Sequence, residues 1–122
     1  LAVAAQNSYT KLEREVVPGL REKLNHAESV EDAKKFFVQE IMGLLQQVFG
    51  DELSINYDDI RLKPDAAPYF ELLGELADNP AIKREFKSSD LDEILQRIGQ
   101  QAAHRYTHLA GNPAKTEAKI RR

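Results

Sequence analysis

Cysteine and tryptophan are absent from this chain of 122 residues, and methionine occurs once, at Met42. Without cysteine there is no disulfide, no thiolate nucleophile and no Cys-ligated zinc or iron–sulfur centre. The redox compartment stays open on that count, and a cytoplasmic setting is the simpler expectation. Apolar runs are short: nothing approaches the roughly 20 consecutive apolar residues of a membrane span, so no membrane partner is expected. The six glycines are isolated, and none opens a G-x-x-x-x-G-K phosphate loop. No serine stands in a G-x-S-x-G elbow, and no stretch assembles a nucleophile, a base and an orienting group. The expectation is therefore a non-enzymatic chain with no cofactor and no metal.

What the chain does contain is apolar residues grouped at helical spacing. The hydrophobic share of 42% is modest and the charged share of 30% is high, yet the grouping is that of one compact domain rather than of a disordered chain. The predicted fold is all-α, four to five helices around a central apolar helix. The domain is expected over 1–113, followed by a mobile basic tail at 114–122.

The central helix is Val30–Phe49, opened by Ser29 with Asp32 and closed by Gly50. Val30, Ala33, Phe37, Ile41, Leu44, Leu45 and Val48 share one face at i, i+3, i+4 spacing. Val38, Met42 and Phe49 widen that face, and Phe36 stands on the flank away from Met42. Phe36, Met42 and Phe49 have no obvious covering element, which makes them candidates for a protein interface, with a second copy of the chain or another protein as the partner.

The flanking elements follow from local signals. Ala2-Val3-Ala4 resembles the tail of a cleaved signal sequence, but no basic or apolar region supports it, and Leu1, Ala2, Ala5, Tyr9 and Leu12 also fit one helical face. Thr10 and Glu13 have capping-box spacing, with Asn7 and Ser8 as other caps. Leu12, Val16, Leu20 and Leu24 continue a stripe past Pro18, where one helix kinks or a second begins. Residues 51–63 read as an irregular connection that tucks Leu53, Ile55 and Ile60 under the helices; the alternation of Leu53, Ile55 and Tyr57 leaves a strand as the minority reading. Tyr69, Leu72, Leu73 and Leu76 predict a helix ending near Asp78. Asn79-Pro80 starts a short helix anchored by Ile82 and Phe86. Ser89 with Asp92 caps the last one, whose stripe is Leu91, Ile94, Leu95, Ile98, Ala102, Tyr106 and Leu109. Gly99, Ala103 and Ala110 beside it invite the close approach of another helix. Gly111-Asn112-Pro113 is the expected stop.

Charge is uneven. The net charge is −3, but residues 97–122 hold six Lys/Arg against Glu117 alone, while the first 96 hold 11 basic and 19 acidic residues. On the last helix Arg97, Gln101, His104, Arg105 and His108 project to one side. Arginine forks match phosphate oxygens, so Arg97, His104, Arg105 and His108 are anion or phosphate candidates. Ion pairing of Arg105 to the acidic connection at Asp51, Glu52, Asp58 and Asp59 is the commoner use of such a flank. His104 and His108 stand four apart as two metal ligands would, but H-R-Y-T-H lacks the catalytic glutamate and a third ligand. Asp58-Asp59 does not match a calcium loop. The favoured function is an interaction or regulatory module acting through apolar helix surface. Its alternatives are a nucleic-acid-associated domain using the basic end from Arg97 onward, and a small-ligand or anion-binding bundle.

Overall fold

The computed structural model describes residues 8–121, with side chains for residues 8–111. The possible signal remnant and the Asn7 cap lie outside the described residues. The described residues are mostly helical, with one small two-stranded sheet. In order, its elements are α1 (Thr10–Asn25), α2 (Val30–Phe49), β1 (Ile60–Leu62), β2 (Phe70–Leu72), α3 (Gly74–Ala77), α4 (Pro80–Ser88) and α5 (Leu91–Arg121). One-turn 3-10 helices occupy Gly50–Glu52 and Tyr57–Asp59.

The central helix stands as its pattern requires. Ser29 Oγ accepts the Asp32 N–H at 3.1 Å, and Gly50 ends the helix at φ 60. That backbone angle suits glycine because it has no Cβ to collide with the neighbouring carbonyl. α2 packs against α1, α5 and β1. Ala33, Phe37, Ile41, Leu44 and Leu45 are buried, as are Leu20 and Leu24 of α1 and Leu91, Ile94, Leu95, Ile98 and Ala102 of α5. α1 is one continuous helix with Pro18 inside it, its ring on the exposed side. At α4, Asn79 Oδ1 accepts the N–H groups of Ala81 and Ile82 at 2.9 and 3.1 Å.

Four expectations need correction. The all-α reading misses the sheet. β1 and β2 are antiparallel, pairing Ile60 with Leu72, Arg61 with Glu71 and Leu62 with Phe70. Ile60, Leu62 and Phe70 are buried, so this ribbon is held by burial of one face rather than by its few hydrogen bonds. It begins three residues after the Leu53–Tyr57 alternation that suggested a strand. Leu53 and Ile60 do tuck into the core, with Ile55 packed against it.

The helix expected from Tyr69 is reduced to the single turn Gly74–Ala77. Tyr69 has φ 74, outside the right-handed helical region, and Ala67-Pro68 is cis. The Tyr69 carbonyl accepts from Lys63 N at 2.8 Å, and its N–H donates to Ala66 O at 3.0 Å. This closed loop delivers Phe70 to β1. The same loop, not a helix, comes close to Gly99: a Cβ built there would lie 3.0 Å from Tyr69 Cβ and 3.2 Å from its carbonyl oxygen.

The expected capping box at Thr10 does not form: the N-cap is Tyr9, with no side-chain cap bond. Asp90, at the mouth of α5, takes over. It accepts from Tyr9 N at 2.8 Å, Ser8 Oγ at 2.9 Å and Thr10 Oγ1 at 3.1 Å. Finally, α5 does not stop at Gly111-Asn112-Pro113 but continues to Arg121. The basic side chains of the expected tail lie outside the described side chains.

Candidate anion-binding groove

α1 and α5 lie side by side, and two contacts fix their register. Toward the start of both helices Glu13 accepts a two-pronged bond from Arg97: Nε to Oε2 at 2.8 Å and Nη2 to Oε1 at 2.9 Å. The carboxylate stabilises the charged guanidinium and pushes its pKa up. Further along, Arg105 Nη2 donates to the carbonyls of Ala27 at 3.0 Å and Asn25 at 3.4 Å. Those carbonyls belong to the end of α1 and the turn beyond it, where no next turn supplies donors and the helix dipole is negative. Arg105 therefore caps α1. Its expected partner, the acidic connection at 51–59, plays no part, because a helix end within reach satisfies the guanidinium without a second charge. Arg105 Nε is buried and has no hydrogen-bond partner among the described residues.

Between these two contacts runs an open groove of about 700 Å³. α1 lines it with Arg21, Leu24 and Asn25; α5 lines it with Arg97, Gln100, Gln101, His104, Arg105 and His108. All four residues expected for an anion site share this one groove. Among the described residues no carboxylate lines it, although the chain as a whole is acidic. Guanidinium, amide and imidazole groups can all donate hydrogen bonds to an oxyanion. Arg21, Asn25 and Gln100 were not anticipated. Arg21 and Asn25 stand four apart beside the buried Leu20–Leu24 stripe, which was a legible signal of a shared face; which flank meets α5 was not. His104 and His108 remain neighbours on α5, but among the described residues no group of three His, Cys, Asp or Glu side chains could hold a metal ion.

The apolar interface candidates are placed differently. Phe49 is buried at 8% exposure as a member of the core. Phe36 and Met42 are partly buried against the core, and Lys35 Nζ lies 5.4 Å from the centre of the Phe36 ring. Among the described residues the large apolar side chain left exposed is Tyr57, at 44%. It borders a smaller hollow of about 440 Å³ formed with Lys34, Asp58, Arg61, Pro64 and Tyr106 over Val38, Ile60 and Leu62. Asp58 sits there as a lining residue, away from the groove.

Two titratable groups lock α1 onto the α4–α5 corner. Burial pushes the Tyr9 phenol up, and its 2.7 Å hydrogen bond to Glu85 and the charges of Glu85 and Asp90 push it further, to about 12. Burial also works against the Asp90 carboxylate, but the donors on Tyr9, Ser8 and Thr10 outweigh it and hold its pKa below the ordinary value.

No protein-family model matches this chain, and neither a curated protein nor a solved structure matches it significantly. No described helix is long and apolar enough to cross a membrane.

Proposed function

We propose that this chain is a non-catalytic binding module that takes an anionic group, phosphate or carboxylate, in the groove between α1 and α5. The observation that carries this reading is a groove lined, among the described residues, by three arginines, two histidines and three amides and by no acid, on a chain of net charge −3. Residues 97–108 contain no acid, and α1 sets Arg21 and Asn25 opposite them rather than a carboxylate. Arg97 and Arg105 are already oriented by Glu13 and by the end of α1, so binding costs less of their side-chain freedom. Among the described residues the groove lining includes no Ser, Thr, Cys, Lys or acid to act as a nucleophile, which is why binding rather than turnover is proposed. The reading through apolar helix surface has less support, since Phe49 is buried and Phe36 and Met42 are partly covered.

The test is an amide-shift titration with pyrophosphate at low ionic strength, where surface charge is least screened. Shifts should cluster on Arg21–Asn25 and Arg97–His108. Arg21→Ala and His104→Ala, both at exposed positions, should each weaken binding several-fold without altering the fold. Absence of localised shifts up to about 10 mM ligand, well beyond the millimolar Kd of a weak site, would refute the proposal.

A further inference from the structure

We infer that the groove accommodates a linear run of several phosphate groups rather than one isolated anion. This inference rests on the anion-binding reading above.

The two tethers bound the length of the groove. From Glu13 to Asn25 along α1 is twelve residues, and from Arg97 to Arg105 along α5 is eight. At 1.5 Å per residue the groove therefore extends about 12–18 Å between its tethers. One phosphate, with oxygens only a few ångströms apart, fills a small part of that. The tethers also keep the arginines from converging. Arg97 has Nε and Nη2 committed to Glu13, and Arg105 has Nη2 committed to the end of α1. Each can offer its Nη1 locally, but gathering both guanidinium groups around one ion would break one of those contacts. Arg21, Gln101 and His104 line the groove as well. Arg21 makes no ion pair with any described residue, so it is a donor that needs no exchange of partners. A chain of phosphates meets these donors in sequence without disturbing either tether.

The lining also indicates what such a chain is recognised by. Among the described residues it holds no Phe, Tyr or Trp and one apolar side chain, Leu24, and the Leu24 side chain is buried at 3% exposure. Bases of a single-stranded nucleic acid would find only the imidazoles and guanidinium planes to stack on, without the large aromatic platforms of a dedicated single-strand binder. Recognition rests on the phosphates themselves, whether they come from a polyphosphate or from a sugar–phosphate backbone. Arginine's planar fork matches phosphate and carboxylate alike, and the phosphate chain is favoured because it offers more acceptor oxygens per unit of chain to meet the amides.

The experiment compares orthophosphate, linear polyphosphate of about ten units, oligothymidylate and hexaglutamate on the full chain at several salt concentrations. Three arginines engaged by one strand predict a slope of log K against log salt near −2, at about 0.7 per contact. A single focal contact gives a slope shallower than about −1. Polyphosphate should bind at least tenfold tighter than orthophosphate. Arg21→Ala should reduce its slope by about 0.7, and Gln101→Glu, which sets a carboxylate in the groove, should weaken it at least as much. Both variants leave the Glu13–Arg97 and Arg105 tethers in place. Binding of either phosphate chain with these properties supports the inference, and the tighter of the two names the source. Orthophosphate binding as tightly as polyphosphate overturns it and leaves the anion-binding reading intact. Hexaglutamate binding as tightly as polyphosphate overturns the choice of phosphate. No binding by any of the four removes both readings.

Discussion

Gly99 gives the sharpest test of the packing that shapes this molecule. Replacing a mid-helix glycine by alanine removes backbone freedom from the unfolded chain and is worth about 1 kcal/mol in favour of the helix. On sequence grounds alone Gly99→Ala and Gly43→Ala should therefore both stabilise. The structure separates them. A Cβ at Gly43 meets nothing within 4 Å, so the full gain of roughly 0.5–1 kcal/mol is expected there. At Gly99 the new Cβ lies 3.0 Å from Tyr69 Cβ, 3.2 Å from Tyr69 O and 3.3 Å from Tyr69 C. These are not the ends of a flexible side chain. They belong to the loop that the Lys63–Tyr69 hydrogen bond closes, so the loop as a whole must give. Overpacking of this kind costs about 1–3 kcal/mol. Set against the propensity gain, the net is a loss of about 1 kcal/mol, or roughly 3–5 °C in Tm for a domain of this size. Denaturant and thermal unfolding of the two single variants and of the double variant measure both signs. If Gly99→Ala stabilises as much as Gly43→Ala does, the close seating of the 63–69 loop on α5 is wrong.

Three further outcomes follow from the contacts of α1. Tyr9 has a folded pKa near 12, above its unfolded value of 10.0, so its contribution is complete below pH 10 and is lost as pH rises toward 12. Ultraviolet titration should show one of the four tyrosines ionising late, and Tyr9→Phe should abolish that step while costing about 1 kcal/mol for the Glu85 hydrogen bond. Asp90 has the opposite sign: its lowered pKa makes its contribution present above the ordinary carboxylate range and lost as pH falls through the folded value. Asp90→Asn should cost about 1 kcal/mol at pH 7 and progressively less as the pH falls below the ordinary carboxylate range, and a cost unchanged with pH would contradict the Asp90 contact with the start of α1. Arg105→Met removes the bonds to Asn25 and Ala27 but also the buried, unpartnered Nε. The lost charged donor outweighs the relief, for a net destabilisation of about 1 kcal/mol that Arg105→Lys partly restores; a Met variant as stable as the parent would show that the cap contributes nothing.

The helices were legible wherever period and cap coincided. Ser29 with Asp32 and Gly50 framed α2, and Asn79-Pro80 started α4, because these devices act within one turn of chain. The region from Leu53 to Leu76 was not legible in the same way. Tyr69, Leu72, Leu73 and Leu76 satisfy helical spacing, while Phe70 and Leu72 equally satisfy an alternation. What decided between them was a partner strand at Ile60–Leu62, ten residues back, and the burial both strands gain against α2 and α5. A cap can also be overruled from a distance. Glu13 was spaced to close a box with Thr10, but Arg97 offers it a charged two-pronged donor, and Asp90 supplies the helix start instead.

The groove divides along the same line. That Arg97, His104, Arg105 and His108 share a face of α5 is a consequence of 3.6 residues per turn, and the chain's own order determines it. That this face looks across at Arg21 and Asn25 of α1 depends on how two helices dock, which no local pattern encodes. The acidic connection, equally plausible from charge alone, is anchored elsewhere by β1 and contributes Asp58 to a different hollow. Local periodicity determined which side chains could act together. Only the packing of α1 along α5 decided which of them face an opening free of carboxylates, because burial of Leu20, Leu24, Ile94 and Ile98 in one core sets the rotation of both helices and with it everything their flanks present.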